Sequence, residues 1–545
     1  MATHEVFNQP PPLEDYDVFA ADAALVAGVE REGASWALEE LHALGTRAGS
    51  PEAIDWGEQA NASPPVLRTH DRFGNRLDVV DYHPAYHQLM QVAVSHGLHA
   101  APWADPRPGA HVARAAKFAV WSQVDAGHGC PISMTYSVVP ALRQQPDVAD
   151  AWEPYLVAHS YDPTNRLVTE KAGALAGMAM TEKQGGSDVR ANTTQAVPAD
   201  GGYLLTGHKW FCSAPMCDLF LVLAQAPGGL SCFAVPRWQP DGTRNPMRLQ
   251  RLKNKLGNRS NASSEVEFDG AWGRLVGEEG RGVATIINMV NHTRLDCTIG
   301  ATAGMRQALA QATHHAAHRR TFGHELIDQP LMGNVLADLA IESEAATITM
   351  LRLARAYDAS AADEAEAVFR RLASAVAKYW ICKRQPVFVG EALECLGGNG
   401  YVEESILPRL FRESPLNGIW EGSGNVICLD VLRAMARQPA SVEAFRAELD
   451  EAVGVDARYD AWRARVDSEL ADLDGIEGRA RSVVETLALA LQGSLLLRFG
   501  HPVVADAFCA SRLDGNWGVA FGTLPLGVDT GTIIDRARPK VSSSA

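Results

Sequence analysis

What this chain lacks narrows its class. Its nine cysteines are spread singly, with no paired CxxC spacing. That excludes a disulfide framework or a cysteine-ligated structural zinc and fits a reducing compartment. No strand-like run leads through G-x-G-x-x-G into a helix, so a Rossmann nucleotide site is not expected. Long apolar runs are missing as well: "LALALQGSLLLRFG" is broken by Gln492 and Gly493 and falls short of the roughly 20 residues that span a bilayer. There is no basic excess, since 49 Lys and Arg face 65 Asp and Glu for a net charge of −16. The average surface therefore repels nucleic acid and acidic membranes. The opening "MATHEVFNQPPPLEDYDVF" has neither the basic nor the apolar region of a secretory signal. These absences predict a cytoplasmic protein without a membrane partner.

What remains is ordinary for a globular protein, 46% hydrophobic and 21% charged. At 545 residues the chain exceeds one core, and two to four domains are expected. Residues 1–176 carry apolar positions at helical spacing between turn-formers such as "NASPP" and "PWADPRPG". Residues 177–280 change to short runs rich in aromatic and β-branched residues, such as "DLFLVLAQA" and "SSEVEFDG", which predict an antiparallel β-domain. The helical pattern returns over 281–438, where Met332, Val335, Leu336 and Leu339 form a stripe, and a bundle is expected. Residues 439–545 predict a further, mainly helical unit with a loose polar end at "RPKVSSSA". The fold class is α+β.

Two stretches carry chemistry. "GMAMTEKQGGSDVR" (177–190) is a glycine-containing turn whose hydroxyls and backbone amides suit a heterocycle or a phosphate; an ordinary polar turn explains it equally well. "NGIWEGSGNVICLD" (417–430) sets one carboxylate, Glu421, between Trp420 and two small-residue steps. That is either a solvated loop acid or a base held against a substrate. His314 and His318 have i, i+4 ligand spacing, but no HExxH frame supports them and no metal is expected.

The turn resembles the Thr-Glu…Gly-Ser-Asp turn of the acyl-CoA dehydrogenase family. Three more stretches match that family in the same order: "GHKWFCS" (207–213), "HRRTFG" (318–323) and "ECLGGNGYVEESILPRLFRESPLNGIWEGSGN" (394–425). "VFNQP", "LKNKLGNRSNAS" and the C-terminal unit look like the AidB-type branch. The resemblance implies an acyl-CoA dehydrogenase-like fold with FAD as cofactor. It places Met180 and Thr181 along the flavin ring, Ser187 at the FAD phosphates, and Phe211 and Ser213 on the other flavin face. It sets Arg319 and Phe322 against the adenosine-diphosphate end of a neighbouring subunit's FAD, with Gly398 near that cofactor and Ser423 and Asn425 just beyond Glu421. Phe211 also reads as a plain strand-core residue, and Arg319 as a cation at a helix C-terminus. A cofactor shared across subunits implies a homotetramer.

In the family reaction a carboxylate takes a proton from Cα of an acyl thioester, and flavin N5 takes a hydride from Cβ. Glu421 is the base by motif, because Thr293 stands beside Arg294 in "NHTRLDC", where some members carry theirs. Arg294 itself is either a substrate-side residue or a helix-packing one. The acyl carrier (CoA or a protein) and the electron acceptor (an electron-transfer flavoprotein or O2) stay open. Glu394 departs from the family, which usually has glutamine there. The AidB-type branch is also associated with duplex DNA and protection from alkylation. Residues 439–545 hold 11 Lys and Arg against 16 Asp and Glu, which disfavours a phosphate-reading surface.

Overall fold

Proline and glycine mark most of the breaks between the helices and strands of this chain, seen here in a computed structural model that describes residues 3–540. The first third contains α1 (Ala23–Arg31), α2 (Leu38–Ala48), α3 (Pro51–Ala62), β1 (Val66–His70), β2 (Arg76–Asp81), α4 (Pro84–Ser95), α5 (Ala101–Ala104), α6 (Ala110–Ser122), α7 (Gly129–Leu142) and α8 (Pro146–Leu156). Then come β3 (Ala176–Ala179), β4 (Gln195–Ala199), β5 (Gly202–Ser213), β6 (Leu219–Ala226), β7 (Gly229–Pro236), β8 (Met247–Leu252) and β9 (Ser263–Val276). The long helices follow: α9 (Gly282–His318), a small hairpin of β10 (Arg320–Thr321) and β11 (His324–Glu325), α10 (Pro330–Ala359) and α11 (Glu364–Cys395). The chain continues through α12 (Gly398–Tyr401), α13 (Leu407–Glu413), α14 (Gly424–Arg437), α15 (Pro439–Asp450), α16 (Ala457–Ala471), α17 (Ile476–Phe499), α18 (Pro502–Phe508) and α19 (Thr530–Ala537).

These elements form two compact units: Met1–Ile54, Arg107–Gln123 and Cys297–Ala545 make one, and Asp55–Pro106 with Val124–Asp296 make the other. The second unit is built on a seven-stranded sheet in which β6, β4, β5, β9 and β7 pair around a ring, with β3 beside β6 and β8 beside β9. Most pairs are antiparallel as expected, but β3 runs parallel to β6, with Ala176 opposite Leu219. The β1–β2 hairpin lies inside the segment read as helical. Its strands are only five and six residues long, around the turn "DRFGN".

In the first unit, the heptad-like stripe of α10 faces inward, with Leu336 and Leu339 fully buried. The C-terminal helices join this bundle through buried ion pairs. Arg512 meets Asp338 and Glu342 of α10, Arg536 meets Glu344 at 2.9 Å, and Arg352 binds both Glu366 (2.9 Å) and Glu448 (2.7 Å). The apolar run read as too short for a membrane belongs to α17, a 24-residue helix long and apolar enough to cross one by length and composition. Of its most apolar stretch, 72% is buried inside the protein, as for a core helix. None of the nine cysteines is in a disulfide, and all are buried. Of the polar end "RPKVSSSA", residues 541–545 lie outside the described residues.

Candidate active site

In the second unit, Met180 and Thr181 follow β3 directly, and the Thr181 carbonyl accepts the Trp210 amide at 2.8 Å. That bond sets the 181–188 turn beside the β5 stretch carrying Phe211. Gly186 is required there, because a Cβ would stand 2.4 Å from Thr181 Oγ1. Ser187 is exposed at the turn's edge. Phe211 is no core residue: it is 51% exposed, with Lys253 Nζ 4.6 Å from its ring centre. Ser213, half-buried, bonds Ser263 of β9 at 3.2 Å. Arg294 is buried in α9, next to buried Thr293.

A pair that the motifs contain but the sequence reading did not single out holds this turn. Glu182 and Lys209 are both fully buried, with Lys209 Nζ 2.8 Å from Glu182 Oε1. The same carboxylate accepts from the Thr193 amide (2.7 Å) and the Thr194 hydroxyl (2.6 Å), and Gln184 Nε2 reaches it at 2.8 Å. Burial pushes the Glu182 carboxyl up, but Lys209 and these other donors outweigh it and hold it well below the usual carboxylate range. Lys209 Nζ also donates to the Leu223 carbonyl at 2.7 Å. The signal was the period of two in β5, where Leu205 and Lys209 share the buried face.

In the first unit, Glu421 and Ser423 lie on the loop entering α14, and Asn425 stands in that helix's first turn. Glu421 is half-buried and has φ +59°, a left-handed backbone that non-glycine residues seldom adopt. Gly422 follows with φ +108°, and a Cβ there would stand 2.9 Å from Ile427 Cδ1. Trp420 Nε1 donates to Asn417 Oδ1 at 2.9 Å. From α11, buried Lys378 donates to the Trp420 carbonyl (2.9 Å) and the Gly422 carbonyl (2.5 Å). Lys378 was missed too. Its signal was a lone lysine inside the apolar run "LASAVAKYWIC". Ser423 is the N-cap residue of α14, yet its exposed side chain makes no cap bond. Asn425 Oδ1 accepts from Arg481 Nε of α17 at 2.8 Å.

Arg319 and Phe322 stand at the far end of α9. The loop residue Asn417 packs near Gly300, its Nδ2 3.2 Å from where a Cβ would be. Eighteen helical residues follow Gly300 and set Arg319 roughly 28 Å further along. "Phe-Gly" is the two-residue turn of the β10–β11 hairpin, with φ +52° at Phe322 and +88° at Gly323, and the Phe322 ring is 95% exposed. Gln329 closes this hairpin by donating to Thr321 Oγ1 at 2.8 Å. The N-terminal "VFNQP" docks on the same corner. Asn8 pairs its side-chain amide with both backbone groups of Arg320 at 2.8 Å, and its carbonyl accepts Arg319 Nη1 at 2.6 Å. Burial and the Arg319 guanidinium push the nearby His315 imidazole down to about 4. His314 Nε2 lies 2.9 Å from the Pro11 carbonyl, and His318 Nδ1 lies 2.8 Å from the His314 carbonyl. Gly398 is exposed and a Cβ would meet nothing within 4 Å, and Glu394 at the end of α11 is exposed as well.

The residues present fit FAD in each unit separately. One unit offers an outward aromatic face beside a turn of hydroxyls and amides. The other offers a carboxylate beside the N-terminus of a 14-residue helix whose cap hydroxyl makes no cap bond. Family models match along most of the chain: the adaptive response protein AidB N-terminal domain over residues 8–163, the acyl-CoA dehydrogenase middle domain over 177–271 and its C-terminal domain over 280–436. The chain belongs to the acyl-CoA dehydrogenase family of FAD-dependent oxidoreductases. Among its relatives, the Escherichia coli protein AidB, named as a candidate acyl-CoA dehydrogenase, is 47% identical over 95% of this chain and 96% of its own length. Acyl-CoA dehydrogenase family member 11 of Caenorhabditis elegans is 30% identical over 84% of this chain and 79% of its own. The crystal structure of Caenorhabditis elegans ACDH-11 in complex with C11-CoA superimposes with a TM-score of 0.86 at 28% identity, covering 94% of each chain.

Proposed function

We propose that this protein is an acyl-thioester α,β-dehydrogenase in which Glu421 takes the Cα proton. When bound, FAD accepts the hydride that leaves Cβ. The observation that carries the reading is the left-handed Glu421 backbone, a strained conformation retained in the loop that the family motif marks. Trp420 on one side shields the carboxylate from water, and Gly422 lets the chain bend there. Met180 and Thr181 line the flavin, with the Thr181 hydroxyl as hydrogen-bond partner. Phe211 and Ser213 cover its other face, and Ser187 serves the phosphates. Ser423 and Asn425 hold the cofactor beyond the base, and buried Arg294 packs α9 or borders the substrate.

An acyl-CoA as substrate is supported by the C11-CoA complex of the worm relative. The roughly 28 Å between Arg319 and the Glu421 loop along α9 supports Arg319, Phe322 and Gly398 serving a neighbouring subunit's FAD in a homotetramer. Buried cysteines that form no disulfide are in keeping with work in the cytoplasm. The DNA-protecting reading draws little from the C-terminal arginines. Arg463 meets Asp450 and Asp467, Arg479 meets Glu469 and Asp472, and Arg481 is spent on Asn425.

The test is anaerobic titration of the yellow protein with straight and branched acyl-CoAs, C11-CoA among them. Bleaching of the flavin supports the reading, and a panel with no bleaching overturns it. Aerobic turnover without an added acceptor distinguishes O2 from an electron-transfer flavoprotein. A duplex-DNA shift that weakens with salt would favour the alternative.

A further inference from the structure

We propose that Lys378 is a positioning residue that holds Glu421 in its working backbone conformation, an inference that rests on reading Glu421 as the base. Lys378 stands mid-way along α11 and is 1% exposed. An ammonium in such surroundings is costly unless its donors are satisfied. Buried lysines in proteins are ordinarily met by a carboxylate, as Lys209 is by Glu182. Lys378 has no carboxylate partner among the described residues, and its Nζ donates to two peptide carbonyls, Trp420 at 2.9 Å and Gly422 at 2.5 Å. Those are the carbonyls on either side of residue 421.

The geometry explains why that matters. Carbonyls two residues apart on an extended strand lie on one side, about 6.6 Å from each other. Both reach one nitrogen within 2.9 Å only where the chain curls. The curl is the pair of positive φ values, +59° at Glu421 and +108° at Gly422. Glycine adopts such a value freely, whereas glutamate does so against its own preference. The ammonium converges the two oxygens and so stabilises the conformer that glutamate disfavours. It also ties the loop to a 32-residue helix rather than leaving it on local contacts. The Trp420–Asn417 bond works within the loop, and Gly422 leaves room for Ile427. Lys378 thus sets where the carboxylate points without touching the substrate.

Three proteins test this: wild type, Lys378→Met and Lys378→Arg. Flavin content, the rate of flavin reduction by saturating C11-CoA, the KM for C11-CoA, and cleavage by a glutamyl endopeptidase mapped by mass spectrometry are measured for each. Lys378→Met is expected to keep its flavin, lose about 100-fold in reduction rate with little change in KM, and become cleavable after Glu421. Lys378→Arg, which keeps a cation with donors for both carbonyls, is expected to restore loop protection and most of the rate. The proposal is overturned if a flavin-holding Lys378→Met is reduced at the wild-type rate, or if its loop stays uncut. If Lys378→Met fails to fold, Lys378→Arg decides: wild-type protection supports the proposal, and a loop cut after Glu421 in an otherwise intact chain, or loss of the fold, overturns it. If no acyl-CoA reduces the wild-type flavin, the base reading fails, and cleavage at Glu421 still decides the role of Lys378.

Discussion

Two buried lysines, one in each compact unit, hold the stretches that the motifs mark, and they do so by different physics. Lys209 is paired with Glu182 at 2.8 Å, inside a set of hydroxyl and amide donors that satisfies every side of the carboxylate. Lys378 meets only backbone carbonyls among its described hydrogen-bond partners. The first arrangement welds a turn to a strand and is stabilising as long as both charges remain. The second fixes an unfavourable backbone conformer and leaves no buried carboxylate dependent on it. One lysine therefore secures the turn against β5, and the other the backbone of the Glu421 loop.

The difference predicts different losses. Lys209→Met strands the Glu182 charge and should cost about 3–5 kcal/mol of stability in chemical denaturation. Lys378→Met should cost less, about 1–3 kcal/mol, because only hydrogen bonds to a charged donor are lost. Equal losses would erase the contrast. Gly422→Ala comes next, with about 1–3 kcal/mol expected from forcing a side chain into φ +108° against Ile427.

Acid should reveal the same contrast. The folded Glu182 value is depressed below its ordinary 4.5, so the pair's contribution is fully present above that value. It is lost as pH falls below it, towards the depressed folded value. The double variant Glu182→Gln/Lys209→Met should consequently lose less stability than wild type as pH falls from about 5 to 3. The smallest effect runs in the opposite direction. Glu421→Gly should stabilise the protein by about 1 kcal/mol in thermal denaturation by relieving the left-handed backbone, while abolishing flavin reduction.

Much of this was legible beforehand because motifs combine local turn chemistry with fixed order. The change of periodicity near 177 falls where strand β3 begins, and Glu421 stood out beside its glycine. The β1–β2 hairpin was not read, since two short strands inside a helical segment give little periodicity. The parallel β3–β6 pairing depends on partners 43 residues apart in the chain, Ala176 and Leu219. Lys209 and Lys378 escaped notice because a lysine is ordinarily a surface residue. Only its place on a buried face, between Leu205 and Cys212 or within "LASAVAKYWIC", gives it away. Asn8 was seen as part of a motif, but its docking against Arg319 and Arg320 spans more than 300 residues and has no local signal.

The central claim is that Glu421 is the base. Its most direct measurement is anaerobic mixing of wild type and Glu421→Gln with C11-CoA while the visible flavin band is followed. Bleaching in wild type, with a Glu421→Gln protein that stays yellow and binds the same flavin, is the predicted result. A Glu421→Gln protein that bleaches at the wild-type rate would contradict it.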